Sequence, residues 1–288
     1  MLDMDEGQPG RMERLSPLVR RLLAPNPSPF TFTGTQSYIV GSGDVAVIDP
    51  GPAISGHVEA LLAALGAERV AAIVCTHTHR DHSPASRPLA AATGASIVGC
   101  APLSFEDEGP RADASFDPDY APDRVLADGE ALSGEGWTLE AIATPGHTSN
   151  HLCFALSEER ALFTGDHVMG WSTTIVSPPD GDMGAYMMSL AKLQGRDEAI
   201  YYPAHGPLID SPKKVLRGLV LHRRQREAQI LSELRKGRER IPEIVAFMYR
   251  EVDPGLHPAA ERSVLAHLID LEGRGLVAQE GEAWRLAA

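Results

Sequence analysis

The sequence predicts an α/β fold for one large domain, followed by a small, mainly helical domain at the carboxyl end. Three observations predict it. Short apolar runs typical of buried strands recur between residues 45 and 202. Helical patterns separate several of these runs, which is typical of sheets with helices packed on their faces. From about residue 211 the strands give way to a succession of helices.

The predicted strands are short and rich in valine, isoleucine, leucine and alanine. They cover residues 45–49, 70–75, 96–99, 137–143, 152–156, 161–165 and 199–202. The predicted helices between them cover residues 55–66, 83–94 and 182–195. In the second of these helices, Ser83 followed by Pro84 predicts an N-cap with proline at the first helical position.

The carboxyl part has a different character. One long helical pattern fills residues 211–237, and two more helices and a β-hairpin are predicted at 241–252, 258–275 and 276–287. Two helices and a hairpin in this order resemble a winged-helix module.

We therefore divide the chain into three parts. Residues 1–210 form the expected catalytic domain, in which the first ten or so residues are expected to be frayed. Residues 211–240 form a connecting basic helix, and residues 241–288 form a winged-helix-like domain.

Charge is distributed unevenly along the 288 residues. The net charge of −13 argues against generic binding to nucleic acids or anionic membranes. Residues 211–240 carry a net charge of +7, whereas residues 241–288 carry −4. Because a winged helix that grips DNA is expected to be basic, we interpret this domain as a packing or dimerisation unit, with a homodimer as one expectation.

The cysteines and the amino terminus indicate the cellular compartment. Cys75, Cys100 and Cys153 are odd in number and form no C-x-x-C pair, so each is interpreted as a small core residue rather than part of a disulfide framework. The amino terminus is acidic and lacks the apolar core of a secretory signal. No apolar run approaches the ~20 residues needed to cross a bilayer. These features predict a soluble cytoplasmic protein without membrane contact.

The stretch "CTHTHRDH" at residues 75–82 concentrates residues that bind metals. His77, His79, Asp81 and His82 follow directly after a predicted strand. Crowded imidazoles repel one another when they are protonated, and a bound cation removes this cost by holding each ring neutral. The stretch therefore predicts a metal site at this strand end.

Three other predicted strands are followed by the same residue types, at His147, Asp166 and His205. Together with the first motif they give five histidines and two aspartates. These are too many for one tetrahedral zinc ion and suit two ions that share a ligand. Asp166 can bridge two ions because a carboxylate has two oxygens.

The other six histidines are interpreted as surface or hydrogen-bonded residues rather than ligands. They are His57, His151, His167, His222, His257 and His267.

The four motifs "THTHRDH", "TPGHT", "FTGD" and "PAHG" occur in this order, and together they resemble the metal-binding motifs of the metallo-β-lactamase superfamily. The resemblance covers roughly residues 30–210. It implies a four-layer αββα sandwich with the metals at one edge. It also implies that Asp49, in "VIDPG", orients a histidine ligand.

The resemblance further implies how the seven side chains divide between two metal ions. The first ion would be held by His77, His79 and His147. The second ion would be held by Asp81, His82 and His205. Asp166 would bridge the two ions.

The expected cofactor is a pair of Zn²⁺ ions per chain, although the same ligand types also accept iron or manganese. The expected chemistry is hydrolysis by a hydroxide that bridges the metals, with Asp81 and Asp166 as catalytic residues and Asp81 positioning the hydroxide. The sequence contains no G-x-S-x-G elbow, P-loop or dinucleotide fingerprint, so nucleophilic serine chemistry is not expected.

A closer resemblance is to the lactamase-beta-2-like branch, whose chains end in a short winged-helix domain. The segments "GDHVMGWSTTIVSPPDGDMGAYMMSL" (165–190) and "HRRQREAQIL" (222–231) carry this resemblance. It implies metal-dependent hydrolysis of thioesters, lactams or single-stranded RNA. Trp171, Thr173 and Thr174 follow the predicted bridging aspartate in a loop. Two interpretations stay open: these residues bind substrate in the cleft, or they shape the loop.

The leading hypothesis is a binuclear zinc hydrolase of a small acyl substrate, either a thioester, a lactone or a lactam. The alternative is a metal-dependent endoribonuclease that binds single-stranded RNA through residues 213–226. The competing interpretation of that basic helix is a solvated face on which Arg223 pairs with Glu227. A mononuclear iron oxidase and a non-catalytic metal-binding protein remain as further hypotheses, although the complete ligand set disfavours the latter.

Overall fold

The computed structural model describes residues 7–103 and 116–287. Two β-sheets lie face to face, helices cover the outer face of each sheet, and a unit of helices and a hairpin follows. The structure is therefore the mixed α/β sandwich with a C-terminal helical winged-helix domain that the sequence predicts.

Within the described residues, the first sheet has seven strands that follow one another in chain order. They are β1 (Met12–Arg14), β2 (Val19–Leu23), β3 (Gln36–Ser42), β4 (Asp44–Ile48), β5 (Arg69–Cys75), β6 (Ser96–Gly99) and β7 (Arg124–Val125). The sheet is antiparallel from β1 to β4 and parallel from β4 to β7. Parallel neighbours need crossover connections, and the helices α1 (Ser55–Leu65) and α2 (Ser86–Thr93) provide two of them.

The second sheet has five strands in the described part of the chain, in the order β12-β11-β10-β9-β8. They are β8 (Ala131–Gly134), β9 (Trp137–Ala143), β10 (Leu152–Leu156), β11 (Ala161–Gly165) and β12 (Ile200–Pro203). Only the β11–β12 pair is parallel. The helices α3 (Met183–Gln194) and α4 (Pro212–Arg235) cover its outer face.

Many apolar runs are continuous because successive side chains of a strand point to opposite faces of the sheet, and here both faces are buried. In β3, Tyr38 and Val40 enter the core between the two sheets, whereas Ile39 faces the helices α1 and α2. Strands buried on both faces have no polar side to present to water. Phe154 and Phe163 of the second sheet complete the central core.

The carboxyl-terminal unit contains α5 (Ile241–Met248), α6 (His257–Gly273), β13 (Val277–Glu280) and β14 (Ala283–Leu286). Trp284 of the hairpin is buried in a separate apolar cluster. Ile230 and Leu234 of α4 belong to that cluster, while Leu216 and Leu219 of the same helix belong to the cluster on the second sheet.

The three cysteines are free and buried, as predicted. In the described residues, no helix combines the length and the apolar character that a membrane span requires.

The prediction that Ser83 caps α2 is wrong. The helix begins at Ser86, and its N-cap residue, Ala85, makes no capping hydrogen bond through its side chain. The Ser83 hydroxyl instead donates to the buried Asp117 Oδ2 at 3.1 Å. Ser83 lies three residues before the first helical residue, whereas an N-cap residue directly precedes it, so Ser83 is too early in the chain to cap this helix.

The predicted pair between Arg223 and Glu227 is also wrong. Arg223 is buried on the inner side of α4 and donates to the carbonyl oxygen of Thr174. Glu227 accepts instead from Arg274 of α6 at 2.6 Å. The packing of α4 against α3 and α6 therefore overrides the local i,i+4 preference.

His267 of α6 is expected to make the protein less stable in acid. Burial, together with the nearby charges of Arg223 and His222, lowers its pKa to about 3. In the unfolded chain a histidine has a pKa of about 6.5. Below that pH the unfolded chain therefore binds a proton at residue 267, whereas the folded chain does not. The free energy of unfolding consequently falls as the pH decreases. Between pH 7.5 and 5.5 the wild-type protein should lose about 1.4 kcal/mol of unfolding free energy that His267→Gln retains.

Urea denaturation of both proteins at the two pH values measures this difference. Between pH 7.5 and 8.5 the histidine is neutral in both states, so the gap between the two proteins should stay constant there. Identical losses of stability below pH 6.5 would contradict the assignment.

Candidate metal centre

Loops at the carboxyl ends of four strands meet at one edge of the sandwich. These strands are β5, β9, β11 and β12, and β9, β11 and β12 run in the same direction in the second sheet. The loops bring together all seven side chains that the sequence predicts as ligands, namely His77, His79, Asp81, His82, His147, Asp166 and His205. Asp81 is partly exposed and the other six are buried.

Three imidazole nitrogens and one carboxylate oxygen form a first group of facing atoms. His79 Nδ1 lies 3.0 Å from His77 Nε2 and 3.1 Å from His147 Nε2. His147 Nε2 lies 3.6 Å from Asp166 Oδ2. Ligand atoms around a tetrahedral zinc ion are about 3.3 Å apart, given Zn–N distances of about 2.0 Å. The first group has this spacing.

A second group lies on the other side of Asp166. Asp81 Oδ2 is 3.4 Å from His82 Nε2 and 3.2 Å from His205 Nε2. Asp166 Oδ1 is 3.6 Å and 3.3 Å from the same two nitrogens. The two oxygens of Asp166 therefore face different groups, which is the arrangement that a bridging carboxylate needs.

Backbone carbonyls orient two of the rings. His147 Nδ1 donates to the Ile175 carbonyl oxygen at 2.7 Å, and His205 Nδ1 donates to that of Gly34 at 3.2 Å. A carbonyl can only accept, so each ring keeps a proton on Nδ1, and in the neutral form the Nε2 lone pair would face the centre. This is the usual way in which a protein prepares a histidine to bind a metal.

Asp49 and Thr76 orient two more rings. Thr76 donates to Asp49 from its backbone nitrogen and from its hydroxyl, at 2.8 and 2.7 Å. The Thr76 oxygen is then free to accept from His77 Nδ1 at 3.0 Å, and Asp49 Oδ2 accepts from His82 Nδ1 at 3.0 Å. The structure thus places Asp49 against a predicted ligand; that it tunes a metal stays a prediction.

The electrostatics of the two groups differ. Burial lowers the pKa of His77 well below its ordinary value and that of His79 to about 3. Burial also lowers the pKa of His82 and His205, but the neighbouring Asp81 and Asp166 outweigh it. These carboxylates raise the pKa of His82 well above its ordinary value and that of His205 to about 10.

The donor set fits a divalent cation. Asp81 Oδ1, His82 Nε2 and Asp166 Oδ1 are buried and make no hydrogen bond within the described residues. Buried polar atoms without a partner cost about 1–3 kcal/mol each. A cation in the second group would satisfy His82 Nε2 and Asp166 Oδ1 and would leave Asp81 Oδ1 free to accept a hydrogen bond. Imidazole nitrogens combined with carboxylate oxygens suit zinc, iron and manganese.

A small cavity borders these atoms. Phe30, Met169 and Ile175 form its apolar wall, opposite ligand-type residues from both groups. The described part of its lining contains no lysine or arginine. The sequence carries no signal that would have placed Phe30 or Met169 there, because their residue types are common in any core.

The three residues predicted to bind substrate differ in where the structure places them. Thr174 is buried, and its hydroxyl donates to the carbonyl oxygens of Asp166 at 2.8 Å and His167 at 2.9 Å. Its side chain therefore fixes the loop instead of facing the cavity. Trp171 stacks on Phe32 with ring centres 4.8 Å apart. Trp171 and Thr173 lie outside the described lining of the cavity, so their role remains a prediction.

The other six histidines are all outside the two groups of ligand-type residues found in the described chain. His151 is buried beside them, where its Nδ1 donates to Thr144 Oγ1 at 2.9 Å and its Nε2 accepts from the Asp166 backbone nitrogen at 3.2 Å. It thus shapes the turn that presents Asp166. His167 and His267 correct the expectation of surface or hydrogen-bonded rings: both are buried, and neither ring makes a hydrogen bond within the described residues.

Two family models and several curated proteins match this chain. Residues 30–205 match the family model of the metallo-beta-lactamase superfamily, and residues 241–284 match that of the beta-lactamase associated winged helix domain. An atrochrysone carboxyl ACP thioesterase from Aspergillus fumigatus is 36% identical over 228 residues, which are 76% of this chain and 66% of that protein. A beta-lactamase-like protein 2 homolog from Caenorhabditis elegans is 34% identical over 79% of this chain and 75% of its own.

The fold itself is similar to that of a metallo-beta-lactamase family protein from Thermus thermophilus. The TM-score is 0.75 at 24% identity, and the match covers 95% of this chain and 100% of the other. This similarity includes the carboxyl-terminal unit as well as the sandwich.

Proposed function

The chain belongs to the metallo-beta-lactamase superfamily and is a metal-dependent hydrolase, and from that premise we propose that it is a binuclear zinc enzyme that hydrolyses a small thioester. The observation that carries this proposal is the position of Asp166, which turns one carboxylate oxygen toward each of two ligand groups beside a cavity with an apolar wall. Lactones and lactams are the other acyl substrates that such a site could hydrolyse.

In the proposed assignment, one ion would be held by His77, His79 and His147, the other would be held by Asp81, His82 and His205, and Asp166 would supply a ligand to each. Zinc in such a site polarises a carbonyl and brings the pKa of a coordinated water close to neutrality. Asp81 Oδ1 makes no hydrogen bond within the described residues. It is available to accept one from the attacking water and to hold that water in line with the acyl carbon.

The cavity wall supports an acyl substrate. Phe30, Met169 and Ile175 line the cavity opposite the ligand-type residues, and we place the acyl group against them. A phosphodiester would bring negative charge, and the described lining has no lysine or arginine to pair with it. The name of the Aspergillus relative, a thioesterase, is the reason to place a thioester first among the acyl substrates.

The basic residues of α4 give little support to the ribonuclease alternative. Lys213, Lys214 and Arg217 line a hollow together with Arg160. Arg160 precedes β11, whereas Asp166 follows the other end of that strand. A five-residue strand is about 17 Å long, so these cations lie at the edge of the sheet opposite the metal centre.

The test combines metal analysis with a substrate panel. Protein purified without chelators is analysed by plasma mass spectrometry and assayed with a thioester, a lactone, nitrocefin and single-stranded RNA. We expect about two zinc ions per chain and the highest kcat/KM with the thioester. About one iron per chain without hydrolysis of any substrate would contradict the proposal and favour oxygen-dependent chemistry.

A triple variant separates the two hydrolytic hypotheses. Lys213→Gln, Lys214→Gln and Arg217→Gln together remove three positive charges far from the cavity. We expect thioester hydrolysis to be unchanged in this variant. If the protein were a ribonuclease that used this surface, RNA cleavage would collapse and lose most of its salt dependence.

A further inference from the structure

Two arginines from the carboxyl-terminal third of the chain reach the segment of residues 174–178, which we call the clamp segment. Arg223 of α4 donates from Nη2 to the Thr174 carbonyl oxygen. Arg262 of α6 donates from Nη2 to the Pro178 carbonyl oxygen and from Nε to Ser177 Oγ at 3.2 Å. The clamp segment is therefore held at both ends by guanidinium groups.

The clamp segment is in turn bonded to the metal centre. The Ile175 carbonyl oxygen accepts from His147 Nδ1, and the Thr174 hydroxyl donates to the carbonyl oxygen of Asp166. Ser177 and Pro178 share a small pocket with His79. Three of the seven ligand-type residues thus border five consecutive residues that the two arginines hold.

The environment of Arg223 suits a specific positioning contact. Its side chain is 3% exposed and lies 5.2 Å over the Tyr186 ring, and within the described residues it has no carboxylate partner. A buried cation without a counter-ion is costly, so general packing would favour an apolar residue at this position. The planar fork of arginine can reach a carbonyl oxygen and stack on an aromatic ring at the same time, which lysine does less well.

We infer that Arg223 and Arg262 are positioning residues through which α4 and the winged-helix domain complete the active site. Arg223 holds the Thr174 carbonyl, and through the adjoining peptide it fixes the Ile175 carbonyl that accepts from His147 Nδ1 and so orients that ring. Arg262 fixes the wall beside His79. The inference rests on the proposed function only for its second readout, hydrolysis, because its first readout is the binding of the metal alone.

The two arginines should affect different quantities. Arg223→Gln is expected to weaken the affinity of the metal-free protein for Zn²⁺ by about 10- to 100-fold, as is typical when the partner that orients a metal ligand is lost. Arg262→Gln is expected to leave Zn²⁺ affinity unchanged and to raise KM for the thioester several-fold. Arg223→Lys keeps the charge and should recover part of the affinity.

Zn²⁺ affinity is measured by competition with a chromophoric chelator, and the Co²⁺-substituted proteins give visible spectra that report the ligand geometry. Arg224→Gln is the matched control for Arg223, because Arg224 is the next residue of α4 and is exposed. Arg250→Gln is the control for Arg262, since Arg250 is an exposed arginine of the same domain. Both controls should behave as the wild-type protein.

Each outcome decides the inference. Equal Zn²⁺ affinities and Co²⁺ spectra for Arg223→Gln and Arg224→Gln would overturn the role of Arg223, even if the thermal midpoint of Arg223→Gln were lower. An unchanged KM in Arg262→Gln would overturn the role of Arg262. If Arg223→Gln does not fold, Arg223→Lys and Arg262→Gln remain as tests. If no acyl substrate is hydrolysed, the proposed function fails while the Zn²⁺ comparison still decides the role of Arg223.

Discussion

Replacement of Asp166 by alanine is expected to reduce bound zinc to at most one ion per chain and to lower kcat/KM by about three orders of magnitude, equivalent to about 4 kcal/mol of transition-state stabilisation. The reason is geometric. Asp166 offers one oxygen to each ligand group, at 3.3–3.6 Å from the nearest imidazole nitrogens. Without it, each group keeps three protein ligands and loses the atom that joins it to the other.

Metal content by mass spectrometry and steady-state hydrolysis of the preferred substrate measure the two effects. Asp166→Asn retains one oxygen and should keep more zinc than Asp166→Ala. Asp210→Ala is the control, because Asp210 is exposed and lies outside the two ligand groups. Two zinc ions in Asp166→Ala would show that the carboxylate does not bridge.

Gly146→Ala is expected to cost about 3 kcal/mol of unfolding free energy and to lower the zinc content. Gly146 has a φ of +141°, and a Cβ at this position would lie 2.4 Å from the Tyr186 Cα of α3. Neither backbone can yield cheaply, since Asp182, the N-cap of α3, also donates from its backbone nitrogen to the Gly146 carbonyl oxygen. The strain falls on the residue that precedes His147.

Gly136→Ala is the matched control for the backbone effect. Gly136 also has a positive φ, +79°, but a Cβ there would meet nothing within 4 Å. It should cost about 1 kcal/mol and leave zinc binding intact. Urea denaturation and metal analysis of both variants separate the free energy lost through the close contact with Tyr186 from that lost through the strain of a positive φ. Equal costs for the two variants would argue that the contact with α3 relaxes.

Strands that consist of an apolar run could be predicted from the sequence. Four of them have the predicted bounds, namely 96–99, 137–143, 152–156 and 161–165. β2 was not predicted because Arg20 and Arg21 interrupt its apolar pattern. In the fold both arginines are buried and paired, with Glu68 at 2.7 Å and Glu13 at 2.5 Å. Such long-range compensation has no local signal. β8 was missed for another reason, since its half-exposed residues lie at an edge of the second sheet.

For the site, residue type and spacing were informative because only a few side chains bind metals. The motif "THTHRDH" and the residues after three later strands predicted a cluster that the fold brings together. What orients the rings could not be predicted in the same way. The partners of His147 and His205 are the carbonyls of Ile175 and Gly34, and every residue has a carbonyl. The role of Arg223 was hidden because an arginine in a basic helix indicates a solvated face until its burial is known.

Helix α4 has a consequence for how the protein unfolds. Its first half is part of the hydrophobic cluster on the second sheet through Leu216 and Leu219, and its second half is part of the carboxyl-terminal cluster through Ile230 and Leu234. Removing the appended domain would leave those last two side chains in water, at about 1.5–3 kcal/mol each. The winged helix is therefore not a detachable module, and both halves of the protein should melt in one cooperative transition.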